Sequence, residues 1–260
     1  LKSFAFNGEI INANSYQGIP GKDKEIWLSS RDFYEFISKF KRFPLIGEPV
    51  FSLYDKFQNI PAYYPKRDLS KPTFGLKKIY STIEKGWGRD LIEKLKSSRL
   101  KPRRERDWKQ EKRSLPLITT FFIPAFMAET FNYPADIFCV ICDADISRTW
   151  APLEPARSKI KYLAPNSWVV NRLKLYGVKE KNIFLSGYPL PIENIGTEKM
   201  NILKQDLGYR ILNLDPMKKY RQKYKPLLDE KIGHLPEKSD HLLTIMFSIG
   251  GAGAQKEIVG

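Results

Sequence analysis

Residues 115–142 read LPLITTFFIPAFMAETFNYPADIFCVIC, and they carry the strongest indication of the fold class. Two apolar runs rich in β-branched and aromatic residues, 115–123 and 136–142, predict short buried strands. The intervening segment 124–131 predicts a short helix, because a proline is tolerated in a first helical turn. This stretch therefore has the strand–helix–strand order of a parallel α/β unit.

The alternation continues towards the C-terminus. Residues 160–164 (IKYLA) and 182–186 (NIFLS) predict two further strands, and a helix over 167–175 lies between them, its end marked by Gly177. Short apolar strands that alternate with helices are typical of a sheet covered on both faces. The sequence thus predicts an α/β fold with a doubly wound, mostly parallel sheet.

A similar unit begins near the end of the chain, where residues 242–257 read LLTIMFSIGGAGAQKE. The apolar run predicts a strand, and Gly250, Gly251 and Gly253 allow positive φ and close approach of another group to the backbone. A helix starting near Ala254 would direct free N–H groups at an anion. The alternative is a tight strand–helix turn that only needs small residues.

The regions before residue 115 predict a less regular arrangement. Residues 1–30 look irregular, and a helix is expected after them, ending before Pro44. Two more helices are predicted over 74–83 and 89–97, whereas 100–114 is a charged segment interpreted as a solvated linker. Residues 197–232 predict two polar helices around a turn at 213–216.

The composition indicates an anionic partner. The formal net charge is +15, and residues 65–113 hold 17 Lys or Arg and 7 Asp or Glu, a net of +10. Such a surface suits nucleic acid, acidic lipid or phosphorylated substrates. Lys66 and Arg67 lie in a proline-bounded turn beside tyrosines and are candidates for a basic surface, although a solvated face is the simpler interpretation.

The cysteines and the hydropathy pattern indicate a cytoplasmic protein. Cys139 and Cys142 are spaced as C-x-x-C, but no second Cys or His cluster accompanies them, so both are predicted to be buried and reduced. No apolar run reaches the ~20 residues that a membrane span requires. The first residues also lack the pattern of a signal peptide.

Five segments in the middle of the chain, together with residues 245–255, resemble one enzyme family in order and spacing. The segments are ITTFFIPAFMAE (118–129), FCVICDADISRTW (138–150), IKYLAPN (160–166), NRLKLYGV (171–178) and NIFLSGYPLP (182–191). They are similar to the N-terminal domain of GT-B glycosyltransferases, in the branch of monogalactosyldiacylglycerol synthase and the lipid II-forming N-acetylglucosaminyltransferase. Residues 245–255 (IMFSIGGAGAQ) are similar to the first strand and loop of the C-terminal domain of that family.

The resemblance implies a domain arrangement and a donor site. Residues 1–196 would form the acceptor-side Rossmann-like domain, 197–241 a helical connection, and 242–260 the start of the nucleotide-sugar-binding domain, most of which is absent. Gly250, Gly251, Gly253 and Ala254 would hold the donor diphosphate. The chain departs from the family pattern in two places: no G-x-G-H loop is found in residues 1–60, and Ser147 stands where lipid synthases have a histidine.

Sugar transfer needs a base for the acceptor hydroxyl, and two carboxylates are placed for that role. Asp143 and Asp145 follow a predicted central strand at the end where open α/β sheets bind ligands. One of them would contact or deprotonate the acceptor. The alternative is that they cap the following turn, since Asp bonds readily to nearby backbone N–H groups. Their D-x-D spacing is interpreted as accidental, so no metal and no cofactor is expected.

Further residues are expected to line the cleft between the two domains. Arg148 suits pairing with a phosphate, and Trp150 suits stacking on a sugar, although both fit a packed loop as well. Gly187, Pro189 and Glu193 lie in the segment that borders the cleft in the family. Glu193 is equally consistent with a hinge.

The sequence therefore predicts a glycosyltransferase that uses a nucleotide-sugar donor and an unidentified acceptor, a lipid or a phosphorylated compound. Cytoplasmic localisation with association at a membrane surface fits that activity. Two alternatives stay open: a non-catalytic GT-B-like protein that binds a nucleotide or sugar, and a basic nucleic-acid-binding protein. No nucleic-acid-binding motif supports the second alternative.

Overall fold

The computed structural model describes residues 19, 21–40, 68–97 and 115–240. The first part of the chain supplies the helices α1 Gly21–Phe40, α2 Phe74–Glu84 and α3 Arg89–Ser97. The sheet region follows as β1 Leu117–Thr119, α4 Phe122–Thr130, β2 Ile137–Val140, β3 Lys161–Ala164, α5 Ser167–Leu175 and β4 Ile183–Leu185. The last described elements are α6 Ile192–Ile195, α7 Asn201–Leu214, α8 Lys219–Lys223 and α9 Lys225–Lys231.

The described strands form one parallel sheet in the order β1-β2-β3-β4. Its register places Thr119, Cys139, Tyr162 and Ile183 side by side across the sheet. The prediction of an α/β fold with a parallel sheet is confirmed. The strand order does not reverse among the described strands, so the doubly wound arrangement stays a prediction.

Alternate residues of the central strands point into the core. Ile137, Cys139, Tyr162 and Ala164 are buried and belong to the same apolar cluster as the inward side chains of α4 and α5. Burial of this kind is the main contribution to stability in a domain of this size. The Tyr162 hydroxyl donates to the backbone oxygen of a tryptophan at 2.9 Å, so the buried phenol does not lose its hydrogen bond.

Helix α1 begins much earlier than the sequence indicated. Residues 21–30 were expected to be irregular, but they form the first half of α1. The buried carboxylate of Asp23 accepts hydrogen bonds from the backbone N–H of Gly88 (2.7 Å) and Leu91 (3.2 Å). Asp23 therefore caps the N-terminus of α3 from another helix, a long-range contact that local sequence rules do not reveal.

The boundary between β1 and α4 was also misplaced. The strand was predicted over 115–123, but β1 ends at Thr119 and α4 begins at Phe122. The Thr119 hydroxyl donates to the Phe121 oxygen and accepts from the Phe121 N–H, which forms a tight turn directly after the strand. A continuous apolar run does not distinguish a strand from a buried helix, and the helix extends two residues further towards the N-terminus than its proline suggested.

The chain divides after Tyr188 into two compact units. The smaller unit includes α6 to α9. The prediction of two polar helices over 197–232 is correct for the first, α7, which ends at the expected turn. The prediction of one second helix is wrong, because two short helices, α8 and α9, meet at Tyr224.

No helix in the described segments combines the length and the apolar character that crossing a membrane demands. The boundaries predicted for a connecting segment at 197–241 and for a second domain stay predictions.

Candidate active site

The loops that follow β2, β3 and β4 lie at the carboxyl edge of the sheet, where open α/β folds bind their ligands. The loop after β2 contains both predicted catalytic carboxylates. The loop after β3 contains Asn166, and the loop after β4 contains Gly187 and Tyr188. Parallel strands bring these three loops to the same edge, which makes this the candidate site.

Asn166 ties the three loops together. Its side-chain oxygen accepts from the Val169 N–H at 2.8 Å and so caps helix α5. Its side-chain nitrogen donates to the Ala144 oxygen at 3.0 Å and to the Tyr188 hydroxyl at 3.1 Å. One amide therefore fixes the loop of the two aspartates against the ends of β3 and β4.

Asp145 is fully engaged by its neighbours. Its carboxylate accepts from Arg172 Nε (3.0 Å), Arg172 Nη2 (3.1 Å), the Trp168 indole (2.7 Å) and the Ile146 N–H (2.8 Å). Partial burial acts to raise the pKa of Asp145, but the hydrogen bonds from Arg172, Trp168 and Ile146 outweigh it and hold the pKa below its ordinary value. A carboxylate held in this way positions its loop on α5 and is a poor proton acceptor.

Asp143 has the opposite character. Its side chain is exposed at the end of β2, and it forms no hydrogen bond or ion pair with any described residue. The adjacent Cys142 thiol is exposed as well, which corrects the prediction that both cysteines are buried; only Cys139 is. The remaining partial burial of Cys142 and the charge of Asp143 both raise the pKa of its thiol. Of the two aspartates, Asp143 is the one with a carboxylate available to a substrate.

Arg148 is buried in a packed loop. The sequence left this interpretation open beside the pairing of Arg148 with a phosphate. Its guanidinium donates to the Ser70 oxygen at 2.9 and 2.8 Å, to Ala151 at 2.7 Å and to Pro152 at 3.1 Å. Burial lowers the pKa of Arg148, and the carbonyl oxygens compensate the desolvated charge. The arrangement fastens the loop after β2 to the segment before α2 and directs the guanidinium away from solvent.

Trp150 is part of the core. It packs with the rings of Phe121 and Phe122 at centroid distances of 6.1 and 5.1 Å, and its side chain is buried. The sequence allowed two interpretations of Trp150, a platform for a sugar or a part of a packed loop. This geometry is that of a packed loop.

The segment after β4 turns sharply at the candidate site. Gly187 has φ of +82°, and no heavy atom lies within 4 Å of the position that a Cβ would take, so the conformation and not the space favours glycine. Tyr188 then contacts Asn166. Pro189 and Glu193 belong to the other compact unit, where Glu193 lies in the first turn of α6.

Several predicted residues fall outside the described part of the chain. These are Gly250, Gly251, Gly253 and Ala254 of the proposed diphosphate loop, and Lys66 and Arg67 of the basic surface. Within the described ranges, no group of three or more His, Cys, Asp or Glu side chains is placed to hold a metal ion.

Sequence reasoning missed the residues that build the site. Asn166, Trp168, Arg172 and Tyr188 were not singled out, although they connect the three loops. Only Asn166 carried a local signal, because an asparagine directly before a predicted helix is a preferred N-cap. Arg172 lies 27 residues from its partner, so the pair emerges only from the fold.

Comparison with known proteins identified no relative. No protein-family model matches the chain, and neither curated proteins nor solved structures gave a match.

Proposed function

We propose that the protein is a nucleotide-sugar-dependent glycosyltransferase of the GT-B type, whose acceptor-side domain contains the parallel sheet. One observation carries the proposal: the exposed carboxylate of Asp143 stands at the carboxyl end of β2, in a loop held by Asn166 and Asp145. A free carboxylate on a rigid edge is what a general base requires. The order of the sequence segments that resemble the family supports the same activity.

In the proposed reaction Asp143 accepts the proton of an acceptor hydroxyl. The hydroxyl oxygen attacks the anomeric carbon of the donor, a new C–O bond forms, and the bond between that carbon and the diphosphate oxygen breaks. The nucleoside diphosphate leaves with the electron pair. The resemblance to the family assigns the binding of the diphosphate to residues 250–254, which lie outside the described part of the chain.

Asp145 and Arg148 have supporting roles in this proposal. Asp145 is occupied by four hydrogen bonds and Arg148 by four backbone carbonyl contacts, so neither is available to a substrate. Both fix the loop that carries Asp143. The acceptor is proposed to be a lipid or a phosphorylated compound in the cytoplasm or at its membrane surface, because a basic protein attracts anions.

The test compares Asp143→Asn with Asp136→Asn in the full-length natural protein. Binding of UDP- and GDP-sugars is followed by thermal shift, and transfer by release of nucleoside diphosphate in the presence of a lipid extract. Loss of a general base costs a factor of about 100 to 10,000 in rate. D143N should bind the donor normally and lose transfer, whereas D136N, which removes an exposed carboxylate of the same sheet, should retain it. Equal transfer by both variants would refute the role of Asp143.

A non-catalytic protein that binds a nucleotide or sugar is the second candidate. The observation that favours it is that Asp145 and Arg148, two of the polar residues expected in the cleft, are used within the fold. This second candidate function predicts that the protein binds a donor and releases no nucleoside diphosphate from it, whichever acceptor is added.

A further inference from the structure

The outer face of α8 and α9, in the smaller compact unit, combines exposed apolar side chains with positive charge. Residues 216–228 read PMKKYRQKYKPLL and contain five Lys or Arg and no Asp or Glu. Met217 is 71% exposed, Leu227 47%, Tyr220 46% and Tyr224 37%. Large apolar side chains rarely remain exposed together unless they meet a partner. We call Met217, Tyr220, Tyr224 and Leu227 the apolar stripe.

The apolar stripe follows one side of the two helices. Tyr220, Tyr224 and Leu227 are spaced by four and three residues, which places neighbours on one helical face, and Met217 lies in the turn directly before α8. Tyr224 donates its N–H to the Tyr220 oxygen at 2.9 Å and accepts from the Leu228 N–H at 3.0 Å, so helical hydrogen bonding continues through the junction. Leu228 is buried, which gives the helix pair an inner face and an outer face.

The turn before α8 is held in place by one carboxylate. Asp215 accepts from the backbone N–H of Tyr220 (3.1 Å) and Arg221 (2.9 Å), and the Arg221 side chain donates back to the Asp215 carboxylate and carbonyl. These bonds fix the turn in which Lys218 has φ of +59°. Met217 is therefore presented to solvent by a structured turn.

Basic side chains flank the stripe. Arg221 is paired with Asp215 and Lys225 with Asp229, which leaves Lys218, Lys219 and Lys223 without an ion pair among the described residues. An amphipathic helix with aromatic and aliphatic residues on one face and lysines beside them is the type that lies flat in a membrane interface. Lysine head groups reach anionic lipid head groups while the apolar side chains enter the acyl boundary.

We propose that this surface seats the protein on an anionic lipid bilayer, with Met217 and Leu227 in the acyl boundary and the two tyrosines at head-group level. Single-stranded nucleic acid is a poorer fit, because it stacks bases on free aromatic faces. Here the centroids of the two tyrosine rings lie 4.7 Å apart, and the most exposed member of the apolar stripe is Met217, which is not aromatic. The inference does not depend on the transfer reaction.

The test measures co-sedimentation of the full-length protein with vesicles of phosphatidylcholine containing one-third phosphatidylglycerol, against vesicles of phosphatidylcholine alone. The variant K218Q/K219Q/K223Q should bind the anionic vesicles about 100-fold more weakly, since each lysine near such a surface adds about a fivefold factor. The matched control K159Q/K179Q/K181Q removes three exposed lysines from the other unit and should bind as the parent does. Thermal unfolding checks that each variant is folded.

A second variant, M217S/L227S, tests the apolar contribution without changing the charge. It should also lose binding to anionic vesicles. The inference is overturned if M217S/L227S binds as the parent does, or if both lysine variants lose binding equally. It is also overturned if the parent binds single-stranded RNA and no vesicle. The vesicle experiment contains no sugar donor. A failure to bind vesicles therefore does not contradict the proposed transfer reaction, and a failure of transfer does not contradict the proposed membrane surface.

Discussion

Asp145 and Arg172 form a two-point ion pair, with Arg172 Nε 3.0 Å from Asp145 Oδ1 and Arg172 Nη2 3.1 Å from Oδ2. The arginine side chain is only 2% exposed and the aspartate 25%. The pair joins the loop after β2 to helix α5. It is one of the contacts that hold this loop in place, beside those of Asn166 and Arg148.

We expect Asp145→Asn to lower the free energy of unfolding by about 3 kcal/mol, because it removes the negative charge that pairs at two points with a buried guanidinium. Asp136→Asn is the control, since the ion pair of Asp136 with Lys161 is more exposed, with the carboxylate 57% accessible. That change should cost less than about 1 kcal/mol. Urea denaturation of the two variants measures the difference, and equal losses would show that the ion pair of Asp145 does not stabilise the fold.

The same ion pair should be visible in the dependence of stability on pH. The pKa of Asp145 in the folded protein lies below its ordinary value. Its contribution is therefore complete above the unfolded pKa of about 3.9 and is lost as the pH falls through the lower folded pKa. We expect the gap in unfolding free energy between parent and D145N to be constant from pH 7 to about pH 5 and to shrink below about pH 4. A gap of unchanged size at the acid end would contradict the ion pair.

The two functions of Asn166 can be separated by substitution. Asn166→Ala removes both the cap of α5 and the bonds to the neighbouring loops, and should cost about 1 to 2 kcal/mol of stability. Asn166→Asp keeps an oxygen that accepts from the Val169 N–H but loses the donor to Ala144. Asn166→Asp should therefore lower the free energy of unfolding less than Asn166→Ala does, as measured by denaturant unfolding. Equal costs for the two variants would mean that the cap does not contribute.

Two glycines near α3 provide a matched pair for backbone strain. Gly86 and Gly88 both have positive φ, +110° and +87°, but a Cβ on Gly88 would overlap the side chain of Met127, whereas Gly86 faces open space. Gly86→Ala should cost about 1 to 2 kcal/mol from conformation alone. Gly88→Ala should cost about 1 to 3 kcal/mol more, from overpacking. Thermal unfolding compares the stability of the two variants. Equal losses would show that the Met127 side chain moves aside without a cost in free energy.

The cysteines should differ in reactivity. Burial raises the pKa of Cys139 well above its ordinary value, and its side chain is inaccessible, whereas Cys142 is exposed with a pKa that is also raised. We expect a thiol reagent to label one cysteine in the native protein and both after unfolding. Cys142→Ser should abolish native labelling. Asp143→Asn should speed labelling of Cys142 near neutral pH, because it removes a negative charge that disfavours the thiolate.

The elements that could be predicted are those with a local signal. Helix α5 was predicted over 167–175, with its end marked by Gly177, and it lies there. The junction of β1 and α4 was misplaced, since an apolar run has no period that separates strand from buried helix. The start of α1 was missed because Asp23, in its first turn, caps the N-terminus of α3, 65 residues away in the sequence. No local pattern indicates such a contact.

The candidate site was predictable in location and not in detail. Topology alone brings the carboxyl ends of parallel strands to one edge, which is how Asp143 and Asp145 were found. Their different roles follow from Trp168 and Arg172, which reach Asp145 and leave Asp143 exposed. Likewise Arg148 meets Ser70 across 78 residues of sequence. Such assignments require the packed structure.

The most direct test of the central claim is the release of nucleoside diphosphate by the full-length natural protein, measured over a panel of UDP- and GDP-sugars with a lipid extract as acceptor. The account predicts release from at least one donor, a loss of about 100-fold or more in Asp143→Asn, and retention in Asp136→Asn. A protein that binds none of these donors and releases no nucleoside diphosphate from any of them would contradict it.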